Sequence, residues 1–222
     1  MDSRIAPALK DLDAVDWAAL EHAYGTADDV PDMIHGLLSA DPEERHESRD
    51  ALISSIAHQG TPYPASAPAV PFLLALLDDP ATPDRGELID LIAFVAPGQP
   101  WLPGQLWAPG EPEERRFPVP EPGGVYRATY DAVARGIPIF VALLGDDDAE
   151  VAVPAAMALA AFPEHAAVTV PPLALVAAES DAPTAVTTTA LLALGATAPR
   201  PPPPADPRRT FNRSKTRTTW IR

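Results

Sequence analysis

The sequence predicts an all-α protein: a right-handed α-solenoid of about four helix pairs, opened by an N-terminal capping helix and followed by a disordered C-terminal tail. Three observations carry that expectation. Val30-Pro31, Val70-Pro71, Ile137-Pro138 and Val170-Pro171 each open an apolar segment, with apolar residues again three, four and seven positions after the Val or Ile. That spacing lays one apolar stripe along a helix. Each segment runs into an acidic turn, at Asp41, Asp78-Asp79, Asp146-Asp147-Asp148 and Asp181, and a second helical stretch follows every turn. The units start 40, 67 and 33 residues apart. Two of these steps suit helix-pair repeats, and the long one reads as a step plus an insertion. A lone pair of short helices cannot bury both stripes, so the units must stack.

Taken in order, the first helix is expected over 14–24, with Asp13 as N-cap and Gly25 just past its end. Trp17 and Leu20 share its inner face, with Tyr24 one turn further on. Unit one sets Val30, Met33, Ile34 and Leu37 against a second helix over 42–57. Asp41-Pro42-Glu43-Glu44 reads as its capping box. Leu52 and Ile56 face inward there, and Glu43, Glu44, Glu47 and Asp50 face water. Unit two, 67–96, is the most regular copy, with Val70, Leu73, Leu74 and Leu77 followed by Leu88, Leu91, Ile92 and Val95. Asp79-Pro80 and Thr82-Pro83 each offer an N-cap with proline at the first helical position.

The insertion 97–124 is too rich in Pro and Gly for a helix, yet it holds Trp101, Leu102, Leu106, Trp107, Phe117 and Val119. An extra helix is expected over 125–135, with Tyr126, Tyr130 and Val133 on one face. Unit three combines Ile137, Phe140, Val141 and Leu144 with a second helix over about 149–162. Pro154 lies inside that helix, where proline costs ~3 kcal/mol, so it should kink or start late. Unit four combines Val170, Leu173, Ala174 and Ala177 with a Thr-rich second helix over 183–194, ending at Gly195. Domain organisation follows: a repeat domain over 1–198 with its insertion, then a Pro/Arg-rich tail over 199–222 that lacks the apolar surface to order itself.

Composition narrows function. The chain has 222 residues, 46% of them hydrophobic, and no cysteine, which excludes disulfides and thiolate chemistry. No apolar run reaches 18 residues, and the N-terminal stretch is acidic where a secretory leader has an apolar core, so a cytoplasmic protein is the expectation. The net charge of −15 is uneven: the tail carries seven Lys/Arg against Asp206 alone, leaving the body near −21. Such a body repels nucleic acid and anionic membrane and suits a basic protein partner.

His58-Gln59-Gly60-Thr61, then Tyr63, Ala65 and Ala67-Pro68-Ala69-Val70-Pro71-Phe72-Leu73, looks like the junction between HEAT-type repeats. Together with the four-fold pattern, roughly 17–194 resembles the HEAT-like repeat superfamily, including the short repeats of phycobilisome-lyase HEAT proteins and of high-GC bacteria. The resemblance implies a binding scaffold. HEAT second helices often carry a basic residue near their start. Arg45 and Arg85 fit that, while units three and four lack one.

Catalytic and metal motifs are missing from the sequence: no HxxxH or HExxH, no Walker loop, no G-x-S-x-G. His22, His35, His46 and His165 read as surface residues. His58, at the end of unit one's second helix, reads as a structural cap on free carbonyls. The Asp clusters lack the spacing of a calcium loop and read as helix caps. No cofactor or metal is expected. The candidate contact residues are Trp101, Trp107, Arg115, Arg116, Phe117 and Tyr126, whose aromatic and Arg content is that of binding hot spots. Trp101 and Trp107 also suit a cover over the groove between units two and three, and both roles are compatible. The leading expectation is a non-catalytic interaction scaffold, of which an immunity or inhibitor-type protein masking a basic toxin is one version. An auxiliary or lyase-like protein acting on a prosthetic group, and nucleic-acid binding through the basic tail with Phe211 and Trp220 stacking, stand as alternatives.

Overall fold

The structure, a computed structural model, describes residues 9–96, 120–179 and 182–197. It is mostly helical, with one two-stranded sheet among the described residues. Eight of the helices form the four expected pairs: α1 (Val30–Gly36) with α2 (Pro42–Ile56), α3 (Ser66–Asp78) with α4 (Arg85–Val95), α6 (Ile137–Leu143) with α7 (Ala149–Ala160), and α8 (Ala166–Ala178) with α9 (Thr184–Thr197). The remaining helix, α5 (Gly124–Ala134), precedes α6. Second helices pack in the order α2, α4, α7, α9, and first helices in the order α1, α3, then α6 and α8. One apolar core runs between the layers, from Leu12 and Trp17 through Leu73, Leu77, Ile92 and Phe140 to Leu173 and Ala190.

The N-terminal capping helix does not form. Its place is taken by two 3-10 turns, Leu12–Ala14 and Trp17–Ala19, and a hairpin of β1 (Glu21–His22) with β2 (Gly25–Thr26). Tertiary hydrogen bonds outweigh helix propensity here. The Trp17 indole donates to the Leu12 carbonyl at 2.8 Å. Ala23 N–H donates to Ser55 of α2, and Ala65 N–H donates to the Glu21 carbonyl, knitting the hairpin to both neighbouring helices. Gly25 is no helix end; it opens β2 opposite His22 with φ 139°. Trp17 is buried against Phe72 of α3, and Tyr24, expected on an inner face, is 67% exposed.

Helix starts follow the sequence in some units and depart from it in others. Asp41 and Asp148 cap α2 and α7, accepting from Glu43 N–H at 3.0 Å and Glu150 N–H at 2.9 Å. The second half of the expected capping box is relayed, because Ser39 bridges the Asp41 amide and the Glu44 carboxylate. Neither Asp79 nor Thr82 caps α4, which begins at Arg85 behind an Asp84 in the left-handed region at φ 51°. Thr82 instead donates to the Leu76 carbonyl at 2.6 Å and so closes the end of α3. Val70-Pro71 and Val170-Pro171 lie inside α3 and α8, four residues after each helix begins, whereas Pro31 and Pro138 occupy first turns.

The expected extra helix is α5, and it fills the first-helix layer: α5 packs across α3 and is followed by α6 after only Arg135 and Gly136. Gly136 packs against the tip of the Leu74 side chain of α3, which would have to shift to admit a methyl group there. On α5, Tyr130 and Val133 are buried as expected, but Tyr126 points to solvent. In α8 the buried positions are Thr169 and Leu173, and Val170 and Ala174 turn away. An apolar residue on nearly every side of α8 leaves no period from which to read its inner face. Helix α9 continues through Gly195 to Thr197.

Candidate functional site

The second-helix layer brings charged side chains of successive units together. Arg45 on α2 donates through Nε to Asp84 Oδ2 at 2.5 Å and through a terminal nitrogen to the Ser39 carbonyl at 3.0 Å. Arg85, first residue of α4, repeats the move one unit on. It donates to the Leu77 carbonyl at 3.3 Å and reaches Asp146 Oδ2, in the turn before α7, at 3.0 Å. Arg49 on α2 pairs with Glu87 on α4. The cations on this face are therefore committed to holding one unit against the next. The hydrogen bond that Arg45 donates to Asp84, opposed by burial and aided by the carboxylate charge, holds its guanidinium above the ordinary range.

Those ion pairs frame two grooves, one on each side of α4. The groove between α4 and α7 encloses about 840 Å³ and is lined by Glu87, Asp90, Asp148 and Glu150, with Val153 and Pro154 in its wall. The groove between α2 and α4 encloses about 400 Å³; Ile53, Leu91 and Phe94 form an apolar floor under Asp50, Glu87 and Asp90. Asp90 borders both. It keeps solvent contact, but the protein packed around it strips hydration from the carboxylate and pushes its carboxyl up to about 6, while Arg49 pulls the other way. Asp90 and Glu150 make no ion pair among the described residues. The face can attract cationic side chains and seat apolar ones.

Pro154 shapes the wall between α4 and α7. Lacking an N–H, it leaves the Glu150 carbonyl without its helical donor. Gly86 of α4 sits directly against that carbonyl, and any β-carbon there would overlap it. The helix nonetheless runs over Ala149–Ala160 with the proline in its interior, so it does not start late.

Of the contact residues expected from sequence, Trp101, Trp107, Arg115, Arg116 and Phe117 lie outside the described residues. Tyr126 lies on α5, 44% exposed. Near it Arg127 bridges Asp131 at 2.9 Å and Glu164 at 3.0 Å and lies 5.5 Å from the centre of the Tyr130 ring. Tyr130 packs on Phe162, and its buried hydroxyl has no hydrogen-bond partner among the described residues. Burial, reinforced by the Glu164 carboxylate, holds that phenol above its ordinary range, so it stays neutral.

His58 does not reach the carbonyls that end α2. Those of Ser55, Ile56 and Ala57 are taken by the Ala23 amide, the Ser66 hydroxyl and the Gly60 amide. The imidazole of His58 instead pairs through Nδ1 with the Tyr24 hydroxyl at 3.2 Å. His22, expected at the surface, is buried: its Nδ1 accepts the Tyr24 amide at 3.0 Å, so Nε2 carries the hydrogen donated to Asp29 at 2.8 Å. Its neighbours Tyr24 and Asp29 were visible in the sequence, but the turn that brings them to one ring was not.

No group of three or more His, Asp or Glu among the described residues is arranged to hold a metal ion. No single helix among them is long and apolar enough to cross a membrane. No protein-family model and no curated protein matches the chain.

Proposed function

We propose that this chain is a non-catalytic, cytoplasmic protein-interaction scaffold, a right-handed α-solenoid of HEAT-like units whose second-helix face grips a basic protein. An immunity or inhibitor-type role, in which that face masks a cationic toxin, is the form this reading takes. The observation that carries it is the pair of grooves beside α4, where Asp90 and Glu150 stand without cationic partners among the described residues, Asp90 beside the apolar floor of Ile53, Leu91 and Phe94, while Arg45, Arg49 and Arg85 are committed elsewhere. Stacking of both helix layers in chain order supports the solenoid. A face of this kind binds through charge complementarity at the rim and apolar anchors at the centre, so its affinity falls with salt.

The test is co-purification from the native cells, with bound proteins identified by mass. The unaltered chain should recover a basic protein, and the Asp90→Lys/Glu150→Lys variant should lose at least 90% of it, as should washing in about 0.5 M salt. Equal recovery by both proteins would place the contact elsewhere. Trp101→Ala/Trp107→Ala run in parallel measures what the insertion adds.

A further inference from the structure

We infer that the two grooves beside α4 are docked by the chain's own basic segment, residues 208–222, which an external basic partner must displace. This rests on the reading just proposed, since it assigns a first occupant to the same face.

Three observations converge on that segment. The first is charge. Residues 208–222 read RRTFNRSKTRTTWIR, six cations and no carboxylate, attached to a body near −21. The groove linings offer Asp90, Glu150 and Asp50 to such a segment. The second is chemistry at the floor. Phe211, Trp220 and Ile221 are the apolar side chains of the segment, and Ile53, Leu91 and Phe94 form an apolar strip beside the carboxylates. A purely electrostatic contact would use only the rims; this segment matches rim and floor together.

The third is reach. Ala185, in the first turn of α9, lines the groove between α4 and α7. Helix α9 ends 12 residues later at Thr197, roughly 18 Å away at 1.5 Å per residue. Neighbouring helices lie ~10 Å apart, so the near groove is roughly 20 Å from Thr197 and the far one roughly 30 Å. The ten residues 198–207 can span at most roughly 30 Å at ~3.1 Å each. The chain is therefore long enough for Arg208 to reach the near groove and for the residues after it to reach the far one. Tethering at this length corresponds to a local concentration on the order of 1 mM, enough for a contact of modest affinity to be closed most of the time.

The experiment compares two full-length proteins: the unaltered chain, and one in which Arg208, Arg209, Arg213, Lys215 and Arg217 are replaced by Gln. The probe is a fluorescein-labelled peptide of residues 206–222, followed by anisotropy. The neutralised chain should bind it with a Kd of roughly 10–100 μM in 50 mM salt, and at least tenfold more weakly in 500 mM. The unaltered chain should bind it at least tenfold more weakly, because its own segment competes. In the neutralised background, Asp90→Asn/Glu150→Gln should reduce binding at least fivefold, whereas Glu43→Gln/Glu47→Gln, exposed on α2 outside both grooves, should leave it within twofold. Circular dichroism checks that each protein is folded, and Glu150→Gln alone serves if the double variant is not. Equal binding by the unaltered and neutralised chains overturns the inference, and so does equal loss in the two carboxylate variants. A nona-arginine peptide separates the levels. If it binds the grooves and the 206–222 peptide does not, self-docking fails and the basic-partner reading stands; if neither binds, both fail.

Discussion

Between α4 and α7 two backbones meet, with Gly86 against the Glu150 carbonyl and the Arg85–Asp146 pair beside them. On α8 and α9 the buried side chains are Leu173, Val186, Ala190 and Ala193 with Thr169, Thr189 and Thr197 among them, and Gly195 has open space where a side chain would be. Thr189 and Thr197 turn their hydroxyls back to carbonyls of their own helix, so these make no hydrogen bond across the interface. Val168, Leu175 and Leu191 stay exposed on this last pair. The repeat therefore contains two kinds of junction, one between successive units and one within the last unit. One is specified by a close backbone approach and a half-buried ion pair; the other is held by small apolar side chains that tolerate change. The difference teaches that the repeat pattern secures stacking, while the grooves beside α4 depend on residues outside the pattern.

The largest effect is expected from Gly86→Ala. A β-carbon there overlaps backbone, which cannot rotate away as a side chain can. The expected loss is about 3 kcal/mol, read from urea unfolding of the full chain. A loss below about 1 kcal/mol would show that α4 and α7 have room to separate, and the distinction between the junctions would go.

Next in size is the Arg85–Asp146 pair. Arg85→Met or Asp146→Asn alone should cost about 1–2 kcal/mol, since each leaves a half-buried partner without its counter-charge. The coupling from a double-mutant cycle should be about 1 kcal/mol in 50 mM salt and smaller in 0.5 M. No coupling at either salt would reduce the ladder to a surface contact.

How much of this was legible in the sequence depends on how local each determinant is. Helix pairs were legible because the 3.6-residue stripe, the Asp turns and Asp41 as a cap all act within a few residues. The N-terminal hairpin was not, because the groups that outweigh a helix there, Ser55, Ala65 and Asp29, are brought to it by the fold. Thr82 looked like an N-cap and proved to close the preceding helix, since its hydroxyl can serve either neighbour and only the turn geometry decides. At the candidate site Arg45, Arg85 and the acidic turns were each visible, and so was the absence of a counterpart in units three and four. Their pairing was hidden because each partner lies one unit on, 39 and 61 residues away. The insertion that separates unit two from unit three masks the common step between those pairs.

A smaller effect tests the groove itself through pH. Asp90 has its carboxyl raised from 3.8 to about 6, so the folded chain holds a proton there that the unfolded chain has released. Between about pH 4 and 6 this group therefore makes stability fall as pH rises, and above 6 the full cost is present. Because Asp90 keeps solvent contact, screening brings that cost well below what a buried carboxyl would give, to about 1 kcal/mol. Asp90→Asn should stabilise the chain by that amount at pH 7.5 and by nothing measurable at pH 4, in thermal unfolding at each pH. A gain that is the same at both pH values would remove desolvation as its cause.

The smallest effect belongs to the other junction. Gly195 lies inside α9, close to its end, and nothing stands within 4 Å of the place a methyl group would take. It is exposed and no cross-helix contact explains a glycine there. Replacing it by Ala removes backbone freedom from the unfolded chain and adds helix propensity without a clash, so the chain should gain about 0.5–1 kcal/mol. Near a helix end fraying reduces such gains, which favours the lower figure. Set beside Gly86→Ala, the same chemical change then has opposite signs at the two junctions. A loss at Gly195 in urea unfolding would mean that α9 meets a neighbour on that side, and the contrast between a tight central junction and a tolerant final one would have to be withdrawn.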